Sequence, residues 1–201
     1  MLGEHEMAQR ARHYRDTLAQ AGVKAFWNAR RGLLADDLTH EHYSEHTQCF
    51  AILSGCLTPE QTQRVADTLL QPNDLAKATV YFSHYLFEVF RLLRQPTAIL
   101  QRLDLWYSFV QNGLKTTIES PEPARSDCHA WGAHPVYHFY ASLLGIRPAE
   151  PGFCKVHIEP QIGHLTSVQA TLVHPRGEIS VHLSRKNNIL RGEVTLPNAL
   201  T

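Results

Sequence analysis

The sequence predicts a mainly α-helical chain that ends in a small antiparallel β unit. Two observations predict it. Apolar residues recur three and four positions apart before Pro148, which is the spacing of a helix face. Apolar and polar residues alternate after Pro151, which is the period of a strand. The change in period divides the chain into a helical domain, residues 1–147, and a β domain, residues 148–201.

Start and stop signals support the individual helices. Ser44 is a suitable N-cap, and Thr58 followed by Pro59 and Gln61 predicts a capping box. Gly145 is a suitable end for the last helix. The predicted helices cover residues 4–29, 44–55, 58–70, 80–93, 96–113 and 135–145.

The segment 80–93 differs from the other helices because apolar residues surround nearly all of it. A helix of this kind is covered on most sides, whereas its neighbours have one apolar face. Alternation of fully buried helices with helices that are solvent-exposed on one face is typical of a toroid of helical hairpins. A simple bundle is the alternative. Faces such as that around Phe82 and Phe87 are expected to be exposed if part of such a toroid is absent.

Strands are predicted at residues 154–158, 168–172, 179–183 and 190–196. About four strands are too few for a complete sandwich. The β unit is therefore expected to pack on the helical domain or on strands contributed from elsewhere.

Composition excludes several classes of function. Lys and Arg together number 19, as do Asp and Glu, so basic residues are not in excess. A protein that binds nucleic acid or acidic lipid usually has such an excess. No apolar run approaches the ~18 residues of a membrane helix, and the N-terminus is too polar for a signal peptide. The four cysteines form no Cys-x-x-Cys pair, and buried free thiols are expected. We expect no cofactor, no metal, no nucleic acid and no membrane partner, and the compartment is left open.

The connector between two apolar helices, residues 113–135, concentrates the groups that carry chemistry. It is long for a helix connection and rich in carboxylates, hydroxyls, histidine and tryptophan. Such loops on a rigid scaffold tend to carry function. A carboxylate beside an aromatic residue and a histidine has the composition of a sugar site.

The connector also resembles a signature of bacterial α-L-rhamnosidases, which are inverting glycoside hydrolases. The resemblance rests on Gly113-Leu114-x-Thr116-Thr117-x-Glu119 followed by Arg125-Ser126-Asp127-Cys128-His129-Ala130-Trp131-Gly132-Ala133-His134-Pro135. Later segments extend it, namely Leu144-Gly145-Ile146-Arg147-Pro148, Pro151-Gly152-Phe153 and Ile158-x-Pro160. The resemblance implies the C-terminal part of an (α/α)6 six-hairpin barrel and hydrolysis of terminal α-L-rhamnosyl bonds.

The resemblance also implies roles for individual residues. Glu119 matches the general base, His129 a ligand of a rhamnose hydroxyl, and Trp131 the wall of the pocket. Asp127 and Arg125 are expected to orient Glu119 or to cap a helix. Two residues from the first third, Trp27 and Asp36, are expected to line the same cleft. Motifs for the general acid are not found, so activity of this chain alone is in doubt.

Each of these residues also has a plainer interpretation. Glu119 is then a solvated loop acid, His129 a structural hydrogen-bonding group and Trp131 part of the core. Asp127 is then an N-cap.

Two other functions remain open. His42-Tyr43-Ser44-Glu45-His46 fits the inverted zinc-protease pattern, although Ser44 as a helix cap would leave His42 outside the helix. A non-catalytic sugar-binding module is the other alternative. The expected partners are a rhamnose-containing oligosaccharide or glycoside, and either the missing N-terminal half or a second copy docked on exposed helix faces.

Overall fold

The computed structural model describes residues 3–121, 123–198 and 200–201. It divides into two compact units, Met1–Ala78 and Thr79–Thr201. The division falls inside the predicted helical domain, and the predicted boundary at residue 147 stays a prediction. No helix among the described residues is both long and apolar enough to cross a bilayer.

Unit 1 contains three helices and a two-stranded ladder. Helix α1 spans His5–Phe26, α2 spans Glu45–Ser54 and α3 spans Pro59–Leu70. Strands β1 (Trp27–Asn28) and β2 (Leu33–Leu34) pair in antiparallel register. Both ends of α2 and the start of α3 follow the sequence signals. The Ser44 hydroxyl accepts the Thr47 amide, Gly55 has φ 66°, and Thr58 with Gln61 forms the predicted capping box.

A buried glutamine joins β2 to α2. Gln48 has no exposed surface, and its carbonyl oxygen accepts the Leu34 amide at 3.1 Å. Its amide nitrogen donates to the Leu34 carbonyl at 2.7 Å. The ladder and the helix are thereby fixed without leaving a polar group unpaired.

Helix α1 differs from its prediction in two ways. It ends at Phe26 instead of near residue 29, because Trp27 and Asn28 enter the β1–β2 ladder. Its apolar stripe is also exposed: Met7, Tyr14 and Leu18 keep 67%, 61% and 70% of their surface. The stripe predicts a helix correctly, but within unit 1 no residue of α1 is buried.

Unit 2 begins with helices α4 (Ser83–Leu92), α5 (Pro96–Arg102) and α6 (Asp104–Gln111). The prediction of a single helix over residues 96–113 is wrong, because two helices, α5 and α6, cover this range. The Leu103 amide bonds to the carbonyl of Leu100, three residues back, and this tighter turn separates α5 from α6. Phe87 on α4 is fully buried, so the expected exposure of the face around Phe82 and Phe87 is also wrong there.

The rest of unit 2 contains two short 3₁₀ helices (Ala130–Ala133 and Pro151–Phe153), helix α7 (Pro135–His138), a π-helical turn (Phe139–Leu143) and antiparallel strands. Strands β3 (Ile146–Pro148) and β4 (Val156–Ile158) pair with each other. Strands β5 (Ser167–His174), β6 (Gly177–Lys186) and β7 (Ile189–Thr195) form an antiparallel sheet in that order. Strand β3 was not predicted. The alternating faces of β6 are confirmed, with Ile179, Val181 and Leu183 buried.

Two clusters of buried apolar residues in unit 2 support the sheet and the connector. One joins the end of the π-helical turn to the sheet, and the other lies beneath the 113–135 connector. The first contains Leu144, Ile146, Ile179, Val181, Leu183 and Leu200, and the second contains Val80, Phe109 and Ile118. None of the four cysteines, all of them among the described residues, forms a disulfide, and of the four only Cys49 is buried.

Candidate functional site

The connector between α6 and α7 folds back on itself as two adjacent arms. The Glu119 amide donates to the Ser126 carbonyl at 3.0 Å, and the His129 amide donates to the Thr117 carbonyl at 2.7 Å. The Thr117 hydroxyl donates a second hydrogen bond between the arms, to the His129 carbonyl at 2.7 Å. Glu119 and His129, both predicted site residues, therefore lie on facing arms of one hairpin-like loop.

The arms are anchored to the helices by close packing. A Cβ on Gly132 would lie 3.0 Å from the Ile118 carbonyl, the Thr117 side chain and the Val80 side chain. Only glycine gives the backbone this approach without a shift of its neighbours. The Trp106 indole donates to the Gly132 carbonyl at 2.7 Å. The base of the loop is thus held rigidly, as a binding or catalytic loop requires.

Glu119 is held by Arg125, as expected. Arg125 Nε donates to Glu119 Oε2 at 2.8 Å, and Nη2 donates to the other carboxylate oxygen. The Glu119 side chain is 15% exposed, whereas the Arg125 side chain is 81% exposed. A two-pronged contact of this kind fixes the direction of the carboxylate.

Three aromatic side chains form an exposed surface beside the loop. The rings of His129 and Trp131 lie 4.3 Å apart, and those of Trp131 and Tyr81 lie 5.0 Å apart. Trp131 and Tyr81 keep 47% and 45% of their surface exposed. Trp131 is therefore not a core residue. Tyr81 was not predicted as a site residue, because it lies in the apolar pattern that predicts a buried helix.

The other predicted site residues are distributed as follows. Asp127 is exposed, and its carbonyl accepts the Thr116 hydroxyl. Trp27 and Asp36 lie in unit 1, and their place in a sugar cleft stays a prediction. The Asp36 carboxylate accepts the hydroxyls of Ser44, at 2.9 Å, and Thr47, so it supports the start of α2.

Both units contain apolar cavities. In unit 1, a cavity of about 330 Å³ lies between α1 and α2, and Asp36 contributes to its wall. In unit 2, a cavity of about 400 Å³ lies between the α5–α6 region, the π-helical turn and β5. None of Glu119, Asp127, His129 and Trp131 lines that second cavity.

The zinc-protease pattern does not form a metal centre. Ser44 is the N-cap of α2, so His42 precedes the helix, and its ring bonds to Asp37 at 2.9 Å. Glu45 is buried and accepts the Ala78 amide at 2.7 Å, with Lys77 at 3.4 Å. In the described part of the chain, His42, Glu45 and His46 do not converge as metal ligands. Their geometry gives no support to a zinc protease.

A charged cluster on α4 joins the helices of unit 2 to β3. The Glu88 carboxylate, 14% exposed, accepts from Arg91 at 3.0 Å and from Arg147 at 3.1 Å. The Tyr137 hydroxyl donates to it at 3.3 Å. Burial opposes ionisation of Glu88, but the two guanidinium groups outweigh it and hold the pKa of Glu88 below its usual value.

Replacing Glu88 by glutamine should lower the free energy of unfolding by about 2 kcal/mol at neutral pH, because charged hydrogen bonds are lost. The pKa of Glu88 is depressed, so its contribution is present above pH 4.5 and disappears as the pH falls through the folded pKa. Urea unfolding at neutral and at acidic pH measures both effects. Glu193→Gln, at an exposed position of β7, is the control; an equal loss in both variants would contradict the prediction.

Comparison with known proteins identifies the fold. Residues 145–201 match the model of a family described as the bacterial alpha-L-rhamnosidase C-terminal domain. The crystal structure of a GH78 family rhamnosidase of Bacillus sp. GL1 aligns with a TM-score of 0.77 at 23% identity, over 92% of this chain and 23% of that one. The predicted resemblance to bacterial α-L-rhamnosidases is confirmed.

A second rhamnosidase structure, from Klebsiella oxytoca with rhamnose bound, aligns with a TM-score of 0.59 at 23% identity. That alignment covers 68% of this chain and 29% of the rhamnosidase. No curated protein matches the chain significantly. The chain thus spans roughly a quarter of the length of the rhamnosidases it resembles. The resemblance relates the chain to glycoside hydrolases, and the (α/α)6 barrel stays a prediction.

Proposed function

We propose that the chain is part of a glycoside hydrolase that cleaves terminal α-L-rhamnosyl bonds with inversion. In this proposal Glu119 is the general base, and the general acid is a carboxyl group other than those of the connector. The observation that carries it is the connector itself, which has Glu119 on one arm and the half-buried His129 and exposed Trp131 on the other, in a fold similar to that of rhamnosidases.

An inverting mechanism needs two carboxyl groups about 6.5–9.5 Å apart, with a water between the base and the sugar. Glu119 would accept a proton from that water as it attacks the anomeric carbon. A general base must be held in a defined direction toward the water, and the contact with Arg125 holds the Glu119 carboxylate in this way. Because both carboxylate oxygens contact Arg125, we expect the exposed guanidinium to release one oxygen when water and sugar bind.

Recognition of the sugar is assigned to the aromatic surface. An apolar sugar face would stack on Trp131, with Tyr81 extending the surface, and the His129 ring would bond to a hydroxyl. Asp127 offers a second, exposed acceptor on the same arm. An oligosaccharide or glycoside ending in rhamnose is therefore the expected ligand.

The proposal is tested by titrating the unaltered chain and its variants with rhamnose and measuring the heat of binding by calorimetry. Trp131→Ala should weaken binding by about tenfold, since an aromatic contact contributes on the order of 1 kcal/mol. Tyr107→Ala removes a similarly exposed ring from α6 and should leave binding unchanged. Absence of binding by the unaltered chain, or equal binding by both variants, would contradict a sugar site on this surface.

A non-catalytic sugar-binding module is the second candidate. The Arg125 contact favours it, because both oxygens of the Glu119 carboxylate are occupied and neither is free to bind an attacking water. Complementation separates the candidates. Adding the N-terminal half of the rhamnosidase should produce hydrolysis if Glu119 is the base, whereas a binding module would gain no activity.

A further inference from the structure

Three histidines converge in unit 2, away from the Glu119 carboxylate contact. His84 lies on α4, His134 is the N-cap of α7, and His138 is the last residue of α7. One ring nitrogen from each lies within 4.8 Å of the others. His84 Nδ1 and His138 Nε2 are 3.1 Å apart. This is the one such cluster of possible ligands in residues 3–121, 123–198 and 200–201.

The hydrogen bonds of His134 determine which of its nitrogens is available. Its Nε2 lies 2.9 Å from the Val80 carbonyl, which can only accept, so Nε2 carries the proton. In the neutral ring Nδ1 then carries the lone pair. That atom is buried and has no hydrogen-bond partner. A buried acceptor without a partner is costly, and such a group calls for an explanation.

In His138, as in His134, one ring nitrogen is engaged in a hydrogen bond and the other is left for the cluster. Its Nδ1 lies 2.8 Å from the Ser142 hydroxyl, which leaves Nε2 directed at His84. Histidines that bind metal almost always engage their other nitrogen with a carbonyl, carboxylate or hydroxyl group in this way. Val80 and Ser142 are thus placed as orienting partners for His134 and His138.

The spacing suits a transition metal. Tetrahedral Zn²⁺ binds histidine nitrogens at about 2.0–2.1 Å, which places two such nitrogens about 3.4 Å apart. We propose that His84 Nδ1, His134 Nδ1 and His138 Nε2 bind one divalent transition-metal ion, with Zn²⁺ the best match. The ion would provide the missing partner of His134 and would link α4 to α7.

Electrostatics are compatible with this site. Burial lowers the pKa of His134 to about 4, and burial with the neighbouring His134 lowers that of His138 to about 2. Both rings are therefore neutral near pH 7, which is the form that binds metal. The nearby guanidinium groups of Arg91 and Arg147 are both paired with Glu88, which reduces their repulsion of a cation.

The sequence contains one local signal for this site. His134 and His138 are four residues apart, the spacing that places two ligands on one helical face. The chain has 13 histidines, so such pairs arise often, and the third ligand lies 50 residues earlier. The site also departs from the expectation that the protein binds no metal. It does not depend on the proposed hydrolase activity.

Zinc binding by the untagged chain tests the proposal. Protein treated with a chelator is dialysed against Zn²⁺, and the bound metal is counted by elemental mass spectrometry. We expect one Zn²⁺ per chain, and strong visible absorption when Co²⁺ replaces it, as a four-coordinate site gives. Ser142→Ala should weaken zinc binding by about tenfold to a hundredfold, because it removes the partner that orients His138.

His84→Ala and His134→Ala replace half-buried ligands and should each abolish stoichiometric binding, with near-ultraviolet circular dichroism verifying the fold. His42→Ala removes an exposed histidine of unit 1 and should change nothing. Nitrogen-15 shifts of the imidazoles should report metal on Nδ1 of His84 and His134 and on Nε2 of His138. No bound zinc, zinc retained by both alanine variants, or a different set of nitrogens would overturn the proposal and leave a metal-free hydrogen-bonded trio.

Discussion

In the proposed hydrolase, replacement of Glu119 by glutamine should lower the rate of rhamnoside hydrolysis by about 10²–10⁴-fold, the usual contribution of a general base. Glutamine keeps the shape of the side chain and a hydrogen bond to Arg125 but cannot accept a proton. The loss should appear in the chemical step, with substrate affinity nearly unchanged. Single-turnover kinetics with an aryl α-L-rhamnoside separates the rate of the chemical step from substrate affinity, because the chromophore reports bond cleavage directly.

Glu150→Gln is the matched control for this measurement. Glu150 is also an acid of unit 2, but it is 54% exposed and paired on the surface with Lys155. Its replacement should leave the rate unchanged. A loss under about threefold for Glu119→Gln would be too small for a base and would favour the binding-module interpretation.

The parts of the fold that the sequence predicts well are those with local causes. A capping box needs only four neighbouring residues, and Thr58 with Gln61 forms it as predicted. The αL end of α2 at Gly55 is similarly local. The buried face of β6 follows from alternation alone. In each case the interacting groups are near in sequence, so the pattern contains the whole interaction.

The errors arise where the partner is distant in sequence. The stripe on α1 predicts a helix, but periodicity does not identify what covers it, and Met7 and Leu18 are exposed. Phe87 and Tyr81 belong to one apolar segment, yet the first is buried and the second is on the aromatic surface. The end of one helix at Leu103 depends on a single tightened turn.

In the candidate site, too, features that depend on neighbouring residues were predictable, whereas features that depend on side-chain geometry or on distant residues were not. The carboxylate, the histidine and the tryptophan were predicted from the connector and its resemblance to rhamnosidases. Arg125 was expected near Glu119, but its occupation of both carboxylate oxygens is a matter of side-chain geometry that spacing does not contain. The histidine cluster needs α4 beside α7, so the spacing of His134 and His138 contains one pair of ligands but does not identify His84 as the third.

Gly145→Ala should lower the free energy of unfolding by about 3 kcal/mol or more. Gly145 ends the π-helical turn and leads into β3 with φ 69°. A Cβ there would lie 2.0 Å from the carbonyl oxygen of Glu159, which belongs to the backbone and cannot move away without breaking the β3–β4 pairing. Urea unfolding followed by circular dichroism measures the loss.

Gly152→Ala separates this clash from the cost of the left-handed conformation. Gly152 has φ 71°, close to that of Gly145, but no atom lies within 4 Å of where its Cβ would be. Its replacement should cost only the conformational part, about 1–2 kcal/mol. If both substitutions destabilise equally, the close approach of Gly145 to Glu159 contributes nothing. The turn into β3 would then be determined by backbone conformation alone, and a residue such as asparagine, which adopts positive φ, should replace Gly145 without further loss.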